Sequence, residues 1–358
     1  MEIGSIIKRH REHSPAEPAK EAPQKIVRPL AESPFQQLHR PLKVKEEEKE
    51  LSISVYEQAI SLMERILNRK ELKLLDEVEN IHKVVEGIVD RVSLNDSTLI
   101  ALTQRSSPSD YLKFHSVNVS ILTVHLALSV GYSREKLIEI GIAALLHDIG
   151  MIEYKEVWNR AVKLSSKELS EVRKHALAGM QALQRVEEFK SNIARAAYQH
   201  HERVNRNGYP EGIDNSEIDK SVQMLAVVSV YSALIHDRLY RAKIIPSKAI
   251  ELIIDFSGTD FEPQMVKSFV QCMSLYPVGG YVQLNNGKIG RVIRSNPGYL
   301  TRPVIDILFN PDGSRVKKVE TVNLKEQDIL YIQRSVLDKE LGANPMDSLY
   351  NYLLNRLK

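Results

Sequence analysis

Cysteine is nearly absent from this chain of 358 residues, where Cys272 stands alone. That excludes an intramolecular disulfide and a cysteine-built zinc site, and fits a reducing compartment. No run approaches the roughly 18 apolar residues of a membrane-spanning helix, and the N-terminus lacks an apolar stretch of signal-peptide length. An excess of one charge is missing too: 49 basic and 46 acidic residues, interspersed, leave a net +3. Neither a nucleic-acid nor a membrane partner is therefore expected. These absences leave the expectation of a cytoplasmic, soluble protein.

What is present is apolar rhythm. Residues 1–45 carry Pro15, Pro18, Pro23, Pro29, Pro34 and Pro41 among charged and small residues, too little apolar surface to offset chain entropy, so a disordered arm is expected. From Leu51 onward, apolar residues recur at three and four, as in Val78, Ile81, Val85, Ile88 and Val92, the spacing of helices with one buried face. The rhythm runs through "VNVSILTVHLALSVG", "KLIEIGIAALLHDIG", "NIARAAYQHHE" and "VQMLAVVSVYSALI", with turn-rich breaks at "SSPSD", "GYS", "RNGYPEGIDN" and "SGTDFEP". The composition then changes. "YVQLNNGKIGRVI" is a hairpin signal around Asn286-Gly287, and "VIDILF", "ETVNL" and "ILYIQ" are further strand candidates. The expected fold is mainly α: a helical segment over 46–104, a helical domain over 105–275, a small β-barrel-like module over 276–334 and a C-terminal helix within 335–358.

Polar residues interrupt this apolar pattern at helix-like positions: His115, His147, Asp148, His175, His200 and His201. Each histidine alone is explained by a hydrogen bond in the core. Together with a carboxylate they suit iron, manganese, zinc or nickel, and a helical bundle is a common place to gather such ligands.

The order of blocks resembles one known family. His115-Ser116, then "HDIG" at 147–150, His175, "HHE" at 200–202, "NGYP" at 207–210, "YSALIHDRLYR" and "SGTDFEP" are similar to the HD-GYP branch of the HD-domain phosphohydrolases, over residues 105–275. The resemblance implies an HD-type helical bundle and a metal-dependent phosphodiesterase acting on the bacterial second messenger cyclic di-GMP, giving pGpG or GMP. It implies two divalent ions (Fe, Mn, Ni or Zn) bridged by Asp148, one held by His115 and His147, the other by His175, His200 and His201. Such a pair screens an anionic phosphodiester and lowers the pKa of bound water. With Asp148, Tyr209 is expected to serve catalysis, packing on or hydrogen-bonding the substrate. Arg238 and Arg241 could pair with phosphates through their planar forks, or be surface charges only. Glu202 could orient a ligand histidine, or be a solvated helix residue.

The chain departs from the family pattern at catalytically important points. Met151 stands where active-type members carry lysine, and Ser229 where an aspartate completes the first metal site. Ser232, Asn205 and Arg206 also differ, and Tyr111 stands where some members place a glutamate for a third metal, so a three-metal site is not expected. His236, seven residues beyond Ser229, lies about 10 Å further along a helix, too far to take the aspartate's place. The expectations are a phosphodiesterase of reduced activity or, alternatively, a degenerate member that binds cyclic di-GMP or a diguanylate cyclase (GGDEF-type) partner without turnover.

Overall fold

A computed structural model of the chain describes residues 46–341, except 69–73, 95–96, 159, 163 and 297. The arm expected at 1–45 and the amphipathic segment at 346–357 lie outside the described residues. Helices α1 (Glu46–Leu67), α2 (Val78–Ser93) and α3 (Ser97–Leu102) open the bundle. In α2 the expected stripe is buried, with Ile81, Val84, Val85, Ile88, Val89 and Val92 facing inward. Next come α4 (Tyr111–Val130) and α5 (Arg134–Leu146), separated by Gly131 in a left-handed cap at φ 94° and by Ser133, whose hydroxyl accepts from the Lys136 N–H at the start of α5. A 3₁₀ turn (Ile149–Tyr154) leads into the short α6 (Lys155–Trp158), α7 (Ser166–Arg173), α8 (His175–Leu183) and α9 (Asn192–Gln199). The bundle closes with α10 (Lys220–Ile235), α11 (Pro246–Asp255) and α12 (Pro263–Met273).

Helices α4 and α10 are apolar on nearly every side, which marks central helices. They pack on each other, with α5 against α4 and α9 reaching across to α5, α8 and α10. The helices before residue 105 share one apolar core with those after it, running from Ile53 to Met273. Among the described residues no helix is long and apolar enough to cross a membrane.

The expected strands appear as β1 (Tyr281–Leu284), β2 (Ile289–Asn296), β3 (Tyr299–Phe309), β4 (Arg315–Asn323) and β5 (Ile332–Val336). They form one antiparallel sheet in the order β4-β3-β2-β1-β5. The sheet is open, whereas the sequence suggested something barrel-like. The reason lies in β4, whose Arg315, Lys317, Lys318 and Glu320 are charged and mostly exposed, a composition that blunts an edge strand. Val282, Leu284, Val292, Ile305 and Ile307 make the sheet's own core, joined by Ala101 of α3. The Ser274 hydroxyl and the Leu275 N–H both donate to the Leu300 carbonyl, at 2.8 and 3.2 Å, tying sheet to bundle.

Candidate metal centre

The polar cluster is built at helix ends. His147 caps the C-terminus of α5, His175 follows α7 after Lys174, and His200 caps α9. The last carbonyls of a helix have no intrahelical donor, and each of these rings supplies one. The Nδ1–H of His147 donates to Ala144 O at 2.8 Å, that of His175 to Val172 O at 2.7 Å and that of His200 to Ala197 O at 2.9 Å. A carbonyl only accepts, so each ring carries a proton on Nδ1, and in the neutral ring Nε2 is the atom left to ligate. All three Nε2 atoms face Asp148, which lies between α5 and the 3₁₀ turn.

The Asp148 carboxylate is shared. Its Oδ1 lies 3.3 Å from both His175 Nε2 and His200 Nε2, and its Oδ2 lies 3.4 Å from His147 Nε2 and 3.7 Å from His115 Nε2. His201 joins the first set, 5.0 Å from His175 and 4.0 Å from His200 between ring centroids. Donor atoms thus converge in two groups, Asp148 with His175, His200 and His201, and Asp148 with His115 and His147. His175 Nε2, His200 Nε2 and His201 Nδ1 are buried without a hydrogen-bond partner, which in a native interior calls for a missing ligand.

Burial holds His200 down to about 4, and holds His115 and His201 well below the usual histidine range, assisted by neighbouring imidazoles. Burial also works against ionisation of Asp148, but the surrounding histidines, His147 foremost, outweigh it and keep the carboxyl well below its usual range. Neutral rings at His115, His200 and His201 beside an ionised Asp148 are the protonation states that metal ligation requires.

Two glycines allow the close approaches. A Cβ on Gly150 would lie 2.1 Å from His175 O and 2.5 Å from Gly179 N, so the turn after Asp148 can seat against α8 only without a side chain. A Cβ on Gly208 would lie 2.5 Å from Arg203 N and Glu202 Cα, which seats the "NGYP" loop beneath the histidine pair. In that loop Tyr209 stacks on His201, with centroids 4.4 Å apart, and the Arg173 guanidinium lies 5.1 Å from the Tyr209 ring.

Glu202 orients the loop instead of a ligand histidine: its Oε1 accepts from Glu211 N–H at 2.8 Å and Gly212 N–H at 3.1 Å. The buried Arg203 donates to the carbonyls of His200 and Glu202 at 3.1 and 2.7 Å. The "SGTDFEP" block supports the same loop, since Val204 N–H donates to Asp260 O and the Asn205 amide to Asp260 Oδ1, at 3.3 and 3.1 Å.

Ser229 lies where the family's aspartate was expected, its Oγ 3.4 Å from His115 Nε2 and 3.5 Å from His147 Nε2. Met151 is half-buried in the 3₁₀ turn, its N–H donating to Asp148 O at 2.9 Å. Tyr111 stacks on His115 at 4.9 Å, and Arg238 lies 4.1 Å from the Tyr111 ring and donates to its hydroxyl at 2.6 Å. Burial pushes the Tyr111 hydroxyl up to about 12. Arg241 sits elsewhere, donating to the carbonyls of Leu234 and Ala242 at 3.4 and 2.8 Å and to those of Ala233 and His236, where it caps α10. Sequence reasoning missed Arg173 and Arg203, which share only their position beside ligand histidines, and the pairing of Ser232 with His236.

Residues 61–265 match the family model of the HD domain, more than half of the chain. The chain belongs to the HD-domain family. The order of its histidine, "HDIG" and "GYP" blocks places it in the HD-GYP branch, and the cluster indicates divalent-metal binding. Residues 281–344 match a KOW domain associated with HD domain, which covers the open sheet. Over 228 residues the chain is 30% identical to the cyclic di-GMP phosphodiesterase PA4108 of Pseudomonas aeruginosa, covering 63% of this chain and 55% of that protein. Over 177 residues it is 30% identical to the 3'3'-cGAMP-specific phosphodiesterase 3 of Vibrio cholerae, covering 49% of this chain and 38% of that one. The match thus takes in about half, or less, of each relative's length. The solved structure of Bd1817, an HDG"Y"P protein from Bdellovibrio bacteriovorus, superposes with a TM-score of 0.50 at 20% identity, covering 61% of this HD-domain chain and 69% of that one. At that identity it speaks for the fold alone.

Proposed function

We propose that the chain is a metal-dependent phosphodiesterase that hydrolyses cyclic di-GMP to pGpG or GMP. The observation that carries this reading is the division of one carboxylate, with Asp148 Oδ1 toward His175 and His200 and Oδ2 toward His147 and His115. The activities of the relatives support the substrate class. His115 and His147 would hold one ion and His175, His200 and His201 a second, with Asp148 between them; nitrogen and oxygen donors suit Fe, Mn, Ni or Zn. Bound there, such ions supply Lewis acidity toward a phosphodiester oxygen and make water a competent nucleophile near neutral pH.

The chain's own residues bind and orient. Tyr209, backed by His201 and Arg173, offers a ring face and a hydroxyl beside the cluster. Arg238, packed on Tyr111 next to His115, places a cation where a phosphate would lie. Arg241 is engaged by the carbonyls at the end of α10 and is not assigned to the substrate.

A second reading, binding without turnover, is favoured by Ser229 and Met151, which supply a hydroxyl and a thioether where an anionic ligand and a cation were expected. Its ligand is cyclic di-GMP, or its partner a diguanylate cyclase domain of the GGDEF type. The test is incubation of Mn- or Fe-loaded protein with cyclic di-GMP and chromatography of the products. Hydrolysis that is lost in Asp148→Ala and His200→Ala supports the enzyme. Binding without product establishes the second reading, and neither binding nor product overturns both.

A further inference from the structure

His115 differs from His147, His175 and His200, each of which donates to a helix-end carbonyl. It lies inside α4, where the backbone carbonyls are engaged in the helix, so its Nδ1 has no free carbonyl at a helix end. Its partner comes from α10: Ser232 Oγ lies 3.2 Å from His115 Nδ1 and 3.4 Å from Nδ1 of His236, and Nε2 of His236 lies 2.8 Å from Thr103 O. All four residues are buried, which removes water as a competing partner.

We propose that Ser232 and His236 are positioning residues that hold His115 in the tautomer with a bare Nε2, the form that can ligate a metal. The direction of each hydrogen bond follows from the far end. A carbonyl only accepts, so His236 carries its proton on Nε2 and donates it to Thr103 O. The Ser232 backbone also approaches the His236 ring, but the 2.8 Å contact to Thr103 O fixes the one proton of the neutral, buried ring on Nε2 and leaves Nδ1 as an acceptor. The Ser232 hydroxyl donates to that Nδ1, and its oxygen then accepts from the Nδ1–H of His115. The Nε2 of His115 is left bare, facing Ser229 Oγ and Asp148 Oδ2.

The chain thus reaches, through a serine and a distant carbonyl, the orientation that a single acceptor on a ligand histidine usually provides. With a hydroxyl that both donates and accepts at position 232, the outcome depends on His236. With a carboxylate there it would not, because a carboxylate only accepts.

This inference deepens the metal-centre reading and is tested first without metal. In metal-free protein labelled with ¹⁵N at histidine, long-range proton–nitrogen spectra are expected to show His115 protonated at Nδ1 and His236 at Nε2. In Ser232→Ala, His115 is expected to shift toward the Nε2-protonated form, and one metal equivalent to bind about tenfold or more weakly, the usual cost of losing such a partner. His236→Leu is expected to act in the same direction. Ser232→Asp is expected to restore both readouts and make them insensitive to His236→Leu. A wild-type His115 protonated at Nε2 overturns the proposal whether or not any variant folds. So does a Ser232→Ala protein with unchanged tautomer and affinity, or a His236→Leu effect that persists beside Ser232→Asp. Wild-type tautomers as stated in a protein that takes up no metal support the relay and overturn the phosphodiesterase reading.

Discussion

At Ser229 the difference between a weak and a complete first metal site is one carboxylate. The hydroxyl oxygen sits between His115 Nε2 and His147 Nε2, at 3.4 and 3.5 Å, so an anionic oxygen there would face the same ion as Asp148 Oδ2. Ser229→Asp is expected to raise metal bound per chain at limiting Mn, read by elemental analysis of the desalted protein. Met151→Lys adds a cation beside Asp148 and is expected to raise turnover of cyclic di-GMP by roughly 10²-fold without changing metal content, the usual scale of one electrostatic contact to a transition state. Since both act on one transition state, their effects need not multiply. A wild type whose occupancy and rate neither substitution improves would show that the two departures are tolerated. Of these residues, the ligands and both departures could be picked out by their order along the chain. Arg173 could not, because an arginine before a histidine is indistinguishable from a surface charge until the fold stacks it on Tyr209.

Elements meet at the site through missing side chains. Gly150 lets the turn after Asp148 rest on α8, and the atoms a Cβ would strike there are backbone, which cannot rotate away. Gly150→Ala is expected to cost about 2 kcal/mol or more, by the scale of overpacked interiors, and to lower metal content, since His175 is carried on the displaced helix. Gly87 in α2 is the control: an added Cβ meets only Val55 side-chain atoms, at 3.4 Å and beyond, and alanine favours a helix interior over glycine. Gly87→Ala is therefore expected to stay within about 1 kcal/mol of wild type. Urea midpoints of the two variants check this, and equal losses would show that the contact at Gly150 relaxes easily. The same scale explains Glu202. In the sequence it follows two ligand histidines and suggests a partner for them, but the chain turns back so that its carboxylate meets the Glu211 and Gly212 amides.

Over the whole molecule, burying several neutral histidines makes stability depend on pH. His200 and His236 are held down to about 4, and His115 and His201 well below their usual value, each chiefly by burial. Between about 6.5, the ordinary histidine pKa, and 4, the unfolded chain binds protons that the folded chain does not, so unfolding is favoured as pH falls through that window. The contribution is fully present above it. Asp148 has the opposite charge but the same sign of effect in a lower window: its depressed pKa adds stability that is lost only below the ordinary carboxylate range. Metal-free protein is expected to lose on the order of 1 kcal/mol per buried histidine between pH 7.5 and 5.5, read from urea midpoints at the two values. An unchanged midpoint would show that these rings are protonated, or exposed, in the folded state.

Apolar rhythm determined the helices and turn chemistry the hairpin at Asn286-Gly287, because burial imposes a pattern on the chain and a tight turn favours Asn-Gly. The order of His115, His147, Asp148, His175, His200 and His201 along the chain pointed to the metal centre through its resemblance to the HD-GYP pattern, since imidazole and carboxylate are the donors such ions take. Tertiary structure decided the rest. It left the sheet open, because β4 is charged along its length and pairs on one side only. It turned Arg241 to the end of α10 and kept Arg238 beside His115, though the two are three residues apart and alike in chemistry. It also joined Thr103 and His115 to Ser232 and His236, more than a hundred residues further along the chain. A hydrogen bond has a range of about 3 Å in space and none along the sequence, so contacts of this kind leave no periodic trace.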